Sequence, residues 1–150
     1  MEHDLTSVKN IIAILLAACT LQAMPMAHAE EQRIAIVTSE GAGITAISAK
    51  EVRRAYLGAS VVLNGVEIKP LLNQSDKLAA EVFLQKVLFM SAEAYERQLL
   101  ARSFQGGSRP KAYANLTNLI DALRNDNATI TFMLYETAIN TSGIRIIGNP

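Results

Sequence analysis

The chain has 150 residues, a length suited to one domain, and half of them are hydrophobic, which supports a folded core rather than a disordered chain. Its 14 basic and 14 acidic side chains cancel, and no basic stripe is interleaved with aromatics, so nucleic acid is not an expected partner. One cysteine and two histidines leave little material for metal or nucleophile chemistry.

The first thirty residues differ from the rest. Lys9 precedes an apolar run from Ile11 to Cys19, which is followed by Pro25 and then Ala27-His28-Ala29, a small-x-small cleavage site. A basic start, a short apolar stretch and such a site predict a secretory signal peptide over residues 1–29, although Glu2 and Asp4 dilute its positive charge. The run is too short for a permanent membrane helix, so no transmembrane segment is expected in the mature chain. Leu16-Ala17-Ala18-Cys19 resembles the lipobox of bacterial lipoproteins, a second processing route in which Cys19 is lipidated. Either route predicts a periplasmic product.

Cleavage after Ala29 leaves 150 − 29 = 121 residues, a single domain over 30–150. It also removes Cys19, His3 and His28, which are all of the cysteine and histidine. The mature chain would then have no disulfide, no Cys nucleophile, no His base and no Cys/His zinc site. The expectation is a protein that is not an enzyme and carries no cofactor and no metal.

Ile34–Val37 reads as a buried first strand ended by Thr38, Ser39, Glu40 and Gly41. Ser48 and Glu51 form an S-x-x-E capping box for a helix whose inner face holds Val52, Ala55 and Tyr56 and which Gly58 ends. Asn64-Gly65, between residues 61–63 and 66–68, predicts a tight hairpin, and Leu71-Leu72 extends its second strand. After the polar break Asn73-Gln74-Ser75-Asp76, Leu78, Val82, Phe83 and Leu88 keep helical spacing, and Ser91 with Glu93 caps a further helix to about Arg102. Residues 104–110 read as a turn, and Leu116, Leu119, Ile120 and Leu123 form the stripe of another helix. Residues 129–134 and 144–147 read as strands, so helices and strands together predict one α/β domain.

Five segments in order resemble phosphate ABC transporter substrate-binding proteins. They are Ile47 to Gly58, Asn64 to Pro70, Phe83 with Val87, Leu88 and Ser91, Phe104 to Pro110, and Ala128 to Met133. The resemblance spans roughly residues 34–147 and is closest to short, single-lobe members. It implies one lobe of a type II periplasmic-binding-protein-like fold, with a mixed or mostly parallel sheet flanked by helices. It also implies a small oxyanion such as phosphate as ligand, and a membrane permease or a sensor as partner. A lobe that kept the fold and became an interaction or sensing module is the other function it allows.

The anion would lie at the helix start after Asn73, Gln74 and Ser75, where free N–H groups and the helix dipole favour negative charge. The resemblance points to the same loop, but no Arg stands in it, Asp76 adds a negative charge, and Lys77 occupies a position where Gly is usual. Plain capping is the ordinary use of Ser75 and Asp76. Thr38 and Ser39, at the end of the first strand, and Arg109, in the Gly-rich turn, complete the expected site. Gly41 and Gly43 allow close backbone approach, although a turn is the commoner use of that spacing.

Overall fold

The computed structural model describes residues 32–150, so the export signal and cleavage site expected over residues 1–29, and Cys19, lie outside the described residues. Strand β1 (Ile34–Ser39) is buried along its whole length. Its period-2 alternation sends Ile34 and Ile36 into one core cluster and Ala35 and Val37 into the other. Helix α1 (Ala49–Tyr56) begins at the expected capping box, where the Glu51 carboxylate accepts from Ser48 N–H at 2.8 Å. Gly58 follows its end with φ 83°, a left-handed conformation that closes the last turn.

Asn64 and Gly65 both have positive φ and join β2 (Val62–Leu63) to β3 (Val66–Glu67), the predicted hairpin. Leu71 and Leu72 do not extend it. They belong to a separate strand of the main sheet, β4 (Lys69–Asn73). Helix α2 (Lys77–Phe83) runs directly into a π-helical turn (Leu84–Leu88), and α3 (Ala92–Phe104) is capped by Ser91 and ends two residues beyond the expected Arg102. Then come β5 (Lys111–Tyr113), α4 (Leu116–Asn125), β6 (Thr129–Leu134), α5 (Tyr135–Ile139) and β7 (Ile144–Gly148).

The sheet order is β5-β4-β6-β1-β7. It is mixed, as expected: β4 pairs in parallel with β5 and β6, whereas β1 pairs antiparallel with β6 and β7. Helices cover both faces. On one face α1, α2, the π turn and α3 enclose Tyr56, Phe83 and Phe132, where Phe83 stacks on Phe132 at 3.9 Å and Tyr56 meets Phe83 edge-on at 4.7 Å. On the other face Leu119, Ile120 and Leu123 of α4 pack with Ala138 of α5 against Val37, Leu71 and Met133. The route from β4 to β5 uses the first face, and the route from β5 through α4 to β6 uses the second, so chain order reverses around β4. Among the described residues no helix is long and apolar enough to cross a membrane.

Candidate functional site: the crevice between β4 and β6

An open α/β sheet forms a crevice at the carboxyl ends of its strands where the strand order reverses. Here that point is the end of β4. The β4–β6 pairing runs through Lys69↔Thr129 and Pro70↔Ile130. Beyond it, side chains join the strands. The Thr131 hydroxyl donates to the Leu71 carbonyl at 3.0 Å, and the Tyr56 hydroxyl donates to the same oxygen at 2.9 Å. The Asn73 amide then donates to the Phe132 carbonyl at 3.0 Å. Burial pushes the Tyr56 phenol well above its ordinary value, so this group stays a hydrogen-bond donor and is no general base.

Asn73 also shapes the loop. Its Oδ1 accepts the Ser75 N–H at 3.0 Å and the Ser75 hydroxyl at 2.6 Å, an Asx-type turn on a side chain 1% exposed. Asp76 caps α2 by accepting the Ala79 N–H at 3.1 Å. A cleft of about 410 Å³ opens above these residues, floored by Met133 and walled by Leu78 and Leu116. Its polar lining is Asn73, Ser75, Asp76, Lys77 and Thr137. Lys77 is exposed and forms no ion pair among the described residues, and the Thr137 hydroxyl has no partner there. The cleft therefore offers an anion one ammonium and the Thr137 hydroxyl, with one carboxylate opposing them, while the Ser75 hydroxyl proton is held by Asn73.

The six residues expected to share a site do not meet. Asn73 and Ser75 line the crevice, while Gln74 turns to an apolar niche of about 200 Å³ beside Phe83, Tyr95 and Phe132. Thr38 and Ser39 sit at the opposite end of the sheet, because β1 runs antiparallel to β6 while β4 runs parallel to it. The registers place Val37 level with Thr131 and Pro70 level with Ile130, so Ser39 and Asn73 are separated by four residues of strand, about 13 Å, with β6 between them. Both hydroxyls are buried and occupied, Thr38 by the Thr129 carbonyl and Ser39 by the Asn127 side chain, each at 2.8 Å.

Arg109 pairs with Glu96 and lines a different groove, of about 810 Å³, with Lys69 and Lys111. The Gly41–Gly43 stretch is a turn, in which Ala42 N–H donates to the Ser39 carbonyl and Arg145 clamps the Ala42 carbonyl. Thr137 and Leu116 escaped the sequence reading as site residues. Thr137 lies on a five-residue helix too short to show periodicity, and Leu116 counted there only as part of a core stripe. Among the described residues no cluster of His, Cys, Asp or Glu could hold a metal ion.

No protein-family model and no curated protein matches the sequence. Solved structures do. A possible phosphate binding protein from Planctomyces limnophilus aligns with 77% of this chain at TM-score 0.50 and 13% identity. The chain shares the fold of that phosphate-binding-type protein. It spans 40% of that protein's length, and so corresponds to less than half of it. An ABC-type phosphate transport receptor from Vibrio cholerae also matches, with 11% identity, TM-score 0.47, and coverage of 77% of this chain and 45% of the receptor. Both proteins are named for binding or transport and neither for an enzymatic reaction.

Proposed function

We propose that this chain is an exported, non-enzymatic binding lobe that takes a small oxyanion such as phosphate in the crevice between β4 and β6. The observation that carries this reading is the coincidence of a topological switch point with a cleft that presents Lys77, Ser75 and Thr137. Lys77 supplies the charge and Thr137 a hydroxyl donor, and Ser75 donates only if its hydroxyl turns from Asn73 Oδ1 to the anion. Asp76 cancels the charge of Lys77, and the cleft is open on one side, so the affinity is weak, in the millimolar range, unless a partner closes over it. In this reading residues 1–29 are the export signal, residues 30–150 work in the periplasm, and a permease or sensor is the natural partner. Thr38, Ser39 and Arg109 have no part in it.

Calorimetric titration of the 30–150 product with phosphate tests the proposal. Heat that vanishes in K77Q supports it, and absence of both heat and thermal shift at millimolar phosphate refutes it.

One observation favours a second reading. The N–H and hydroxyl of Ser75 are both taken by Asn73, and Asp76 occupies the helix start where an anion would sit. A lobe arranged in this way serves as an interaction or sensing module of the cell envelope. Capture of a defined envelope protein together with silence toward phosphate would select this reading over the first.

A further inference from the structure

Two charges of the crevice stand unanswered. The Asp76 carboxylate caps α2 through Oδ1, which accepts the Ala79 N–H at 3.1 Å, and its Oδ2 takes no partner among the described residues. Lys77 is exposed and forms no ion pair there, not even with its neighbour Asp76. These two are the charged groups of the cleft lining, so the lining has no net charge. Glu136, which precedes Thr137, pairs with Arg33 instead.

The walls are apolar. Leu78 and Leu116 are 40% and 37% exposed, and both border this cleft, with the buried Met133 as its floor. Single exposed apolar side chains are ordinary on a surface, but two that flank one cleft over a buried floor make an apolar seat beside the charges. At about 410 Å³ the cleft lies within the ~300–1,000 Å³ common for pockets that hold organic ligands. Bare phosphate leaves the apolar walls in water and meets a like charge at Asp76.

We propose that the preferred ligand of the crevice is a neutral aliphatic α-amino acid, whose carboxylate is the oxyanion of the reading above, on which this inference rests. The ligand carboxylate lies on the Lys77 ammonium and the Thr137 hydroxyl, and the ligand ammonium donates to Asp76 Oδ2. Its two charges stand on one carbon, and those of the cleft stand on consecutive residues that both line it. The aliphatic side chain covers Leu78, Leu116 and Met133 and removes their exposed surface from water. A zwitterion thereby uses the carboxylate that repels phosphate.

The test is to follow amide chemical shifts of the protein in separate titrations with L-leucine, phosphate, 4-methylpentanoate and 3-methylbutylamine. The last two are leucine without its ammonium and leucine without its carboxylate. L-Leucine is expected to move the amides of Asp76, Lys77, Leu78 and Thr137 and to bind about tenfold or more tightly than each of the others, the scale of one charge-assisted hydrogen bond. D76N preserves the cap of α2, since Asn caps as well as Asp. It is expected to weaken L-leucine about tenfold and to strengthen phosphate, opposite signs that a merely structural loss does not produce. L78S, a change at an exposed position, weakens L-leucine and leaves phosphate as it was. Phosphate binding as tight as that of L-leucine, or D76N lowering both alike, overturns the proposal and leaves the oxyanion reading standing. L-Leucine shifts centred away from the crevice overturn it as well, and silence toward all four ligands overturns both.

Discussion

Replacing Asn73 with Ala tests whether side chains hold β4 and β6 together where their ladder ends. The change deletes three hydrogen bonds: Nδ2–H to the Phe132 carbonyl at 3.0 Å, and the Ser75 N–H and hydroxyl to Oδ1 at 3.0 and 2.6 Å. At about 1 kcal/mol for each neutral bond the loss is about 3 kcal/mol. The Phe132 carbonyl sits in the interior and gains no water when the amide is removed, whereas the Ser75 groups are half-buried and recover part of their loss by hydration. A range of about 2–4 kcal/mol follows, a large share of the ~5–15 kcal/mol typical of a domain. The chain has no tryptophan, so urea unfolding is best followed by far-UV circular dichroism. The midpoint should fall while the m-value stays constant. N115A, which removes the cap that accepts the Asn118 N–H on α4, serves as a comparison and should cost about 1 kcal/mol. If N73A costs less than N115A, the reasoning about the parted strands is wrong.

Further outcomes follow from the same interactions. Y56F and T131V each remove one donor from the Leu71 carbonyl and should cost about 1 kcal/mol singly, with the double variant costing more than the sum because the oxygen is then left bare. G58A should lose about 1–2 kcal/mol, read as a lower Tm, because φ there is 83° and a Cβ would meet Arg102 Nε at 2.9 Å. The Lys69 ammonium and the Ala128 N–H hold the Asp126 carboxyl below its ordinary value of 3.8. A carboxyl depressed in the folded state stabilises above its unfolded pKa and loses that contribution as pH falls through the folded value. The part of the urea midpoint that Asp126 supplies should therefore be lost as pH falls below its ordinary value of 3.8, and D126N should flatten that part of the acid decline, while Glu51 and Glu93, also held below their ordinary 4.5, keep theirs.

Much of the fold was legible because its signals are local. The Ser48–Glu51 box, the Asn64-Gly65 turn, the Leu119–Leu123 stripe and the apolar run at Ile34 each depend on neighbours within a turn or two, and the structure places them as read. The misses are non-local or short. Leu71 and Leu72 sit in a central strand although Pro70 precedes them, and the β4–β5 pairing starts only at Leu71, past the missing proline N–H. Strand β5 has three residues and α5 has five, both below the length at which periodicity is readable.

Strand direction is the omission that mattered for the site. Nothing in residues 34–39 reveals that β1 runs opposite to β4, and that orientation alone carries Thr38 and Ser39 away from Ser75. Arg109 was misplaced for a related reason. Its Gly-rich turn leads into the start of β5, so it lies at the end of the sheet away from the crevice.

The central claim is that an oxyanion enters the crevice where β4 and β6 part, and amide chemical shifts recorded during a phosphate titration test it most directly. The account predicts saturable shifts confined to Ser75, Asp76, Lys77, Leu78 and Thr137, reduced in K77Q. Unmoved amides at these positions at millimolar phosphate, or shifts centred instead on Thr38, Ser39 or Arg109, would contradict it.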